Sequence, residues 1–195
     1  MELILASLSP YRRALLERLG IPFECVRPPF DEEVFKNSDA ARTLTPHQLA
    51  EGLALRKAES VAADRSHAVV IGGDQLVEFQ GEVLGKPGSL DGAIEQLLRM
   101  SGQDHRLITA IAICHRGESR ILTDVTKLRM RPLTRLEIER YVTADCPTDC
   151  AGSYKIEGRG IALFEQIDSV DQTAIIGLPL IALTSQLREY GFEVP

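Results

Sequence analysis

The chain opens on an apolar stretch that leads directly into a helix start, an arrangement typical of α/β folds. Residues Leu3–Ala6 have the character of a buried strand. Ser9 and Pro10 follow as a predicted N-cap and first helical position. The first turn then carries Arg12 and Arg13, which oppose the helix dipole. Either both guanidinium groups are solvated, or one of them holds an anion at the helix N-terminus.

Strand and helix patterns alternate over the first hundred residues. The pattern predicts strands at Glu2–Ala6, Phe23–Val26 and His67–Gly72, and helices at Pro10–Leu19, from Pro46 to about Ala63, and from Ser89 or Asp91 to Met100. A polar loop is predicted up to about residue 44, and a hairpin over residues 75–84.

The second half has a more antiparallel character. Two long β-like segments, His105–His115 and Arg120–Arg131, are joined at a Gly-containing turn. A capping-box helix from Thr134, a strand over Gly160–Ile167 and a closing helix over Leu178–Tyr190 follow. We therefore predict one domain over residues 1–195, an α/β fold with a mixed, partly antiparallel sheet flanked by helices.

Composition excludes several classes of protein. The chain has 195 residues, of which 44% are hydrophobic and 26% charged, and no apolar run is long enough to span a membrane. A net charge of −6 argues against a surface that coats nucleic acid, although a few local cations can still hold a nucleotide. The start lacks a basic secretory signal, and the four cysteines lack zinc spacing. We expect a cytoplasmic protein with reduced thiols.

Several short motifs carry candidate chemistry. They are the Ser7–Arg12 turn, Asp31-Glu32-Glu33, Lys57-Ala58, Gly72-Gly73-Asp74-Gln75, Gly85-Lys86-Pro87, Gly152-Ser153-Tyr154-Lys155-Ile156-Glu157-Gly158 and Ile176-Gly177-Leu178-Pro179. Together, in this order and at this length, they resemble the Maf family of nucleoside triphosphate pyrophosphatases. The resemblance covers nearly the whole chain and implies two lobes with a central cleft.

The acidic candidates have ordinary alternatives. Asp74 follows an apolar strand and two glycines, so we expect its carboxylate at the carboxyl end of that strand, where ligands gather in α/β sheets. The same Gly-Gly-Asp-Gln sequence is also typical of a plain turn. Glu32 lies in an acidic triplet that is either a solvated loop or the source of a Mg²⁺ ligand.

The basic candidates are Lys57, Lys86 and Arg12. Lys57 shares a helix face with Leu53 and either extends along the edge of the core or binds a ligand. Lys86 lies in a stiff Gly-Lys-Pro turn. This turn is not a Walker A loop, because it lacks the Ser or Thr of that motif and its glycine spacing differs. The planar fork of Arg12 suits bidentate contact with phosphate.

The resemblance assigns these residues to one reaction, the hydrolysis of a nucleoside triphosphate to its monophosphate and diphosphate. It implies Asp74 as the general base, with Glu32, Lys57 and Lys86 as further catalytic residues. Glu32 and Asp74 would hold a divalent cation, Mg²⁺ or Mn²⁺, and Ser7, Arg12 and Gln75 would bind substrate. A homodimer is a family expectation, and no nucleic acid or membrane partner is implied.

Substrate choice rests on three residues. Gln75 and the late Gly-Ser-Tyr-Lys-Ile-Glu-Gly stretch resemble the branch that acts on 7-methyl-GTP, whose cationic base suits an aromatic face and a carboxylate. Tyr11, Gln75 and Glu157 are the implied specificity residues, and tyrosine departs from the usual tryptophan at its position. The alternatives are a pyrophosphatase for UTP, dTTP or deaminated purine triphosphates, and a non-catalytic nucleotide-binding regulator of cell division.

Overall fold

The computed structural model describes residues 1–194 of the chain. Over this range the strands are β1 Leu3–Leu5, β2 Glu24–Cys25, β3 Val69–Phe79, β4 Glu82–Leu84, β5 Asp104–His115, β6 Glu118–Met130 and β7 Phe164–Asp168. The α-helices are α1 Pro10–Glu17, α2 Glu32–Lys36, α3 Asp39–Arg42, α4 Pro46–Ala62, α5 Leu90–Met100, α6 Arg135–Asp145, α7 Gln172–Ile176 and α8 Leu180–Glu189. Short 3₁₀ segments cover Ala151–Ser153 and Arg159–Leu163.

The strands form a mixed sheet, as the sequence predicts. Its order is β2-β1-β3-β5-β6-β7, with β4 paired to β3. Strand β1 runs parallel to both β2 and β3, whereas β4 is antiparallel to β3 and β7 is antiparallel to β6. The parallel part follows from the strand–helix alternation of the first hundred residues, and the antiparallel part from the hairpins.

The chain divides into two compact units. The first comprises Met1–Gln75, Thr109–Asp124 and the residues from Asp171 onward, and the second comprises Leu76–Ile108 and Val125–Val170. The strands β3, β5 and β6 contribute residues to both units. The single-domain assignment over residues 1–195 stays a prediction.

The core of the first unit forms on one face of the parallel strands. Alternate residues of β1 and β3, namely Leu3, Leu5, Val69 and Ile71, pack with apolar residues of β5, α1 and α8. All are buried, because period-two alternation in the strands and the apolar stripe of each helix meet at this face.

The helix starts and hairpins predicted from capping and turn residues are present. Thr45 with Gln48, and Thr134 with Glu137, form complete capping boxes at α4 and α6. The connection between β5 and β6 is two residues with positive φ, Arg116 at 49° and Gly117 at 82°, the combination that hairpin turns of type I′ require.

Three local predictions are wrong. The polar loop before residue 44 contains two short helices, because Asp31 and Ser38 cap α2 and α3 with their side-chain oxygens. The strand expected to end at Gly72 continues to Phe79. The first residues of the strand predicted over Gly160–Ile167 are a 3₁₀ turn, and the strand begins at Phe164.

No helix among residues 1–194 combines the length and the apolar character needed to cross a bilayer.

Candidate active site

Asp74 lies in the middle of a strand. It is the sixth residue of β3 and is only 6% exposed, so both the prediction of a strand end and the alternative of a plain turn are wrong at this position. The preceding glycines belong to the same strand, whose first residues Val69–Ile71 pair with Leu3–Leu5 of β1. The two glycines therefore allow close packing against the strand and do not form a turn.

Gly72 lets helix α4 lie directly on the strand. A Cβ atom on this residue would approach the backbone oxygen of Ala54 to 2.2 Å and the backbone nitrogen of Ala58 to 2.6 Å. No larger residue fits without moving the helix backbone. Because alternate residues of a strand share a face, Asp74 faces the same helix. This close approach brings Lys57 of α4 to Asp74.

Lys57 joins two carboxylates. Its Nζ donates to Asp74 Oδ1 at 2.7 Å and forms an ion pair with Glu32 Oε1 at 2.9 Å. The lysine is 6% exposed, so its charge is compensated by these carboxylates rather than by bulk water. The structure places the Lys57 ammonium group in a buried ion pair, and the binding of a ligand by Lys57 stays a prediction.

The second oxygen of Asp74 has no hydrogen-bond partner within residues 1–194. Oδ2 is buried and makes no hydrogen bond in the part of the chain that the structure describes. A buried carboxylate oxygen without a donor is unfavourable unless a cation, a water or a ligand satisfies it. Asp74 and Glu32 both contact Lys57 Nζ, and the orphaned oxygen suits a hard divalent cation, which takes one or two carboxylates and completes its shell with phosphate oxygens and water.

No cluster of three or more His, Cys, Asp or Glu side chains with metal-binding geometry occurs within residues 1–194. A cation at Glu32 and Asp74 would therefore need oxygens from substrate and water, as Mg²⁺ commonly does.

Glu32 is placed by the cap of its helix. Asp31 accepts hydrogen bonds from the backbone of Glu33 and Val34 through Oδ1, which fixes the first turn of α2. Burial acts to raise the pKa of the Glu32 carboxyl, but Lys57, with Lys36 and Arg12, outweighs it, so that the net pKa lies below its ordinary value. Glu32 is thus held as a carboxylate.

Arg12 lies between two glycines. A Cβ on Gly73 would be 3.3 Å from Arg12 Nε, and a Cβ on Gly177 would be 3.3 Å from Arg12 Cγ. Arg12 Nε donates to the carbonyl oxygen of Gly177 at 3.2 Å, and Nη1 donates to Ser7 Oγ at 3.5 Å. Burial lowers the pKa of Arg12, and the charges of Asp74 and Glu32 act in the opposite direction.

Ser7 and Gln75 are tied into the same unit. Ser7 is buried, and its Oγ also accepts from the backbone of Ser9 at 3.2 Å. The amide nitrogen of Gln75 donates to Thr109 Oγ1 and to the carbonyl oxygens of Ala174 and Ile175, at 2.9–3.0 Å. Any substrate contact of Gln75 therefore falls to its amide oxygen.

The three remaining predicted residues differ in their position in the fold and in their exposure. Tyr11 is half-buried in the first turn of α1. Lys86 is exposed in the connection between β4 and α5, and Glu157 is exposed in a turn before the second 3₁₀ segment. Both Lys86 and Glu157 belong to the second unit.

Sequence reasoning missed the support that the region around α7 gives to this site. Thr109 and the carbonyls of α7 hold Gln75, and Gly177 holds Arg12. The signal was present as an N-cap aspartate, because Asp171 is followed two residues later by Thr173, to whose backbone it bonds. It lay inside a stretch where we predicted no helix.

Comparison with known proteins places the chain among relatives. A family profile described as "Maf-like protein" matches residues 2–190. The chain belongs to the Maf family. A protein of Xanthomonas axonopodis pv. citri named 7-methyl-GTP pyrophosphatase is 47% identical over 194 residues, covering 100% of this chain and 99% of its own. A protein of the same name from Bdellovibrio bacteriovorus is 51% identical over 183 residues, covering 93% of each chain.

A third relative of this name, from Polaromonas sp., is 46% identical and covers 97% of this Maf chain and 84% of its own. Among solved structures, a nucleoside-triphosphatase described as a dITP/XTP pyrophosphatase from Mycobacterium abscessus is 16% identical, with a TM-score of 0.41 over 98% of each chain. That likeness is too weak to bear on fold or function.

Proposed function

We propose that this Maf protein is a divalent-metal-dependent pyrophosphatase that hydrolyses 7-methyl-GTP, or a similar modified nucleotide, to the monophosphate and diphosphate. Full-length relatives that carry this name support the reaction and its substrate. The observation that carries the proposal is the buried Asp74 Oδ2, which makes no hydrogen bond within residues 1–194, while Lys57 joins Asp74 Oδ1 to Glu32.

The cationic side chains neutralise the triphosphate. Arg12 is pre-positioned by its contacts to Gly177 and Ser7, so its remaining N–H groups can bind phosphate oxygens without a large loss of side-chain entropy. Lys57 contributes the charge nearest to the carboxylates. We assign Lys86 to the same task on the strength of the family resemblance.

Glu32 and Asp74 would hold the cation, Mg²⁺ or Mn²⁺. When bound, such an ion stabilises charge on the phosphoryl oxygens and favours ionisation of water. Asp74 accepts the proton of the attacking water. Lys57 takes up one lone pair of Oδ1 at 2.7 Å, so the remaining lone pairs of Oδ1 and Oδ2 are those that would hold the cation and accept the proton. The reaction needs no covalent intermediate.

Base recognition is assigned to Tyr11, Gln75 and Glu157. A 7-methylguanine ring carries positive charge, which an aromatic face stabilises by about 0.5–2 kcal/mol and which a carboxylate also attracts. Tyr11 is beside Arg12 on α1, and Gln75 is beside Asp74 on β3. Glu157 is exposed and supplies the carboxylate in this assignment.

In the cell such an enzyme would keep modified nucleotides out of nucleic acid. We assign the protein to the cytoplasm. Its proposed partner is a nucleotide rather than a membrane or a nucleic acid, and a homodimer is a family expectation.

The proposal is tested with a panel of normal and modified triphosphates, including 7-methyl-GTP, UTP, dTTP and inosine triphosphate, each incubated with Mg²⁺ or Mn²⁺. We expect the highest rate of monophosphate formation with 7-methyl-GTP, and loss of activity on chelation of the metal. A higher rate with UTP or inosine triphosphate would reassign the substrate. Nucleotide binding without any turnover would favour the alternative function, a non-catalytic nucleotide-binding regulator of cell division.

The role of Asp74 has its own test. We expect Asp74→Asn to lower kcat by about 10²–10⁴-fold, the usual contribution of a positioned general base, because the amide cannot accept the proton. Glu33→Gln is the matched control, since this neighbour of Glu32 has an exposed side chain and makes no ion pair among the described residues. Near-normal turnover by Asp74→Asn would remove Asp74 from the chemistry.

A further inference from the structure

The short helix α7 presents its C-terminal carbonyl groups to two of the proposed substrate-binding residues. The carbonyl oxygen of Ala174 accepts from Gln75 Nε2 and from Thr109 Oγ1, both at 2.9 Å. The carbonyl oxygen of Gly177 accepts from Arg12 Nε at 3.2 Å. Arg12 and Gln75 are thus bound to neighbouring carbonyls of one backbone segment.

A buried aspartate fixes that segment from within. Asp171 is 5% exposed, and its Oδ1 accepts from Thr173 N at 2.8 Å and from Thr173 Oγ1 at 2.5 Å. Its Oδ2 accepts from Ile181 N, in the first turn of α8, at 2.8 Å. Thr173 Oγ1 in turn accepts from Leu180 N at 2.9 Å. The two side chains therefore join the start of α7 to the start of α8 across Gly177.

The segment has little freedom to move without disturbing Arg12. Gly177 has φ +137°, a conformation that L side chains rarely adopt, and a Cβ there would be 3.3 Å from Arg12 Cγ. Gly73 bounds Arg12 from β3 at a similar distance from Nε. A shift of the α7–α8 connection would therefore lengthen the Nε–H···O bond and release the guanidinium.

We propose that Asp171 is a positioning residue for Arg12. Its carboxylate fixes the α7–α8 connection, the connection holds the Gly177 carbonyl, and the carbonyl sets the plane of the guanidinium. The consequence for catalysis rests on the proposed function of Arg12 as a phosphate ligand. Fixing Nε to the protein pre-orients the terminal N–H groups, and the loss of such orientation costs rate even when the charge is kept.

The structural part is tested without any substrate. The Arg12 Nε–H signal in a ¹H–¹⁵N spectrum of the whole protein is assigned from its absence in Arg12→Lys, and its exchange with water is measured. In Asp171→Asn the new amide N–H groups face the backbone N–H of Ile181, so the hydrogen bond that holds the α7–α8 connection is lost. We therefore expect the exchange of the Arg12 Nε–H proton with water to become about tenfold faster, in keeping with loss of a charge-assisted hydrogen bond. Thr173→Val should raise it in the same direction and serves if Asp171→Asn does not fold.

Thr134→Val is the matched control, because it removes an N-cap of α6 in the second unit without contact to Arg12. It should lower thermal stability and leave the Arg12 signal unchanged. If exchange at Arg12 is unaltered in Asp171→Asn and Thr173→Val, or rises equally in Thr134→Val, the inference is overturned.

The catalytic part is tested by a double-mutant cycle on kcat/KM with the best triphosphate. If Asp171 acts through Arg12, Asp171→Asn costs about tenfold in the wild-type background and little in Arg12→Lys, which already lacks the Nε–H group. Additive losses would contradict the inference and leave the proposed function intact. A wild type without turnover would contradict the proposed function, and the exchange of the Arg12 signal would still decide the inference.

Discussion

At the scale of single residues, the site depends on one ammonium group shared by two carboxylates. Lys57 is buried and satisfies Asp74 through one oxygen only, while Glu32 approaches it from a separate helix. Removing one member of a buried ion pair leaves an uncompensated charge, which costs more than the pair contributes. The protein therefore carries its own counter-ion where it would also bind a metal.

Replacing Lys57 tests this arrangement. We expect Lys57→Met to lower the free energy of unfolding by about 3–5 kcal/mol, the usual result of breaking a buried ion pair. Mn²⁺ should raise the Tm of the variant more than that of the wild type, because the ion then compensates two carboxylates that have lost their cation. The measurement is thermal unfolding with Mn²⁺ and with chelator.

Lys36→Met is the control for Lys57→Met, since Lys36 is 3.8 Å from Glu32 and its side chain is about a third exposed. It should change stability by less than about 1 kcal/mol. Equal Mn²⁺-dependent shifts in the wild type and Lys57→Met would show that Lys57 does not act as the counter-ion.

At the scale of secondary-structure elements, two adjacent glycines open both faces of β3. Gly72 admits the backbone of α4 on one face, and Gly73 admits the side chain of Arg12 on the other. Side chains alternate between faces along a strand, so a glycine pair removes one from each. The consequence is that Lys57 and Arg12, from helices far apart in sequence, pack against adjacent residues of β3, Asp74 and Gly73.

Gly72→Ala is expected to destabilise the protein by about 1–3 kcal/mol or more, because its Cβ would overlap the helix backbone and force α4 away. The Lys57–Asp74 contact should weaken with it, and turnover should fall accordingly. Chemical denaturation measures the first effect. Gly85→Ala is the control for stability, as its Cβ meets no atom within 4 Å. Equal stability of the two variants would contradict the packing role of Gly72.

The elements also show what the sequence could predict. Helix starts were predictable because Ser9, Thr45 and Thr134 satisfy the exposed N–H groups of their own first turns, which is a local effect. The course of β3 was not predictable. The residues Gly-Gly-Asp-Gln favour a turn locally, and they form a strand only because β3 pairs with its neighbours β1 and β4. Helix α2 was not predicted although its cap, Asp31, is local, because an acidic triplet is also typical of a solvated loop.

At the scale of the whole molecule, the stability of the chain should depend on pH through a residue outside the proposed site. His105 is 3% exposed, and its Nε2 lies 3.0 Å from the hydroxyl of Tyr154. Burial lowers the pKa of His105 to about 4, with a smaller opposing effect of Asp104. The folded chain keeps this imidazole neutral, whereas the unfolded chain protonates it below about 6.5.

Because the unfolded state binds the extra proton, this contribution to stability is full above pH 6.5 and is lost as the pH falls toward 4. We expect the free energy of unfolding of the wild type to fall by up to about 3 kcal/mol over that pH range, relative to the change in His105→Gln. Urea denaturation at a series of pH values gives the difference. His67→Gln, an exposed histidine, should follow the wild type. Parallel pH profiles for the wild type and His105→Gln would exclude His105 as the cause.

The fold class was predictable at this scale because strand–helix alternation and hairpin turns are recorded locally. The site was predictable only as a set of residues, since no local pattern states that Lys57 meets Asp74 or that Gly177 meets Arg12. The sequence separation of the latter pair is 165 residues. Such contacts depend on the sheet order and on the positions where the chain leaves room between elements.

The Gly72-Gly73 pair has a consequence for anyone who moves this chemistry into another scaffold. A graft that copied only the charged side chains onto an ordinary strand would bring two Cβ atoms with the new backbone, one on each side of the sheet. The recipient helix would stand off and the arginine would be displaced, so the transplanted groups would not meet. The two glycines, Gly72 and Gly73, are part of the minimal set of residues to be transferred, together with Arg12, Glu32, Lys57 and Asp74.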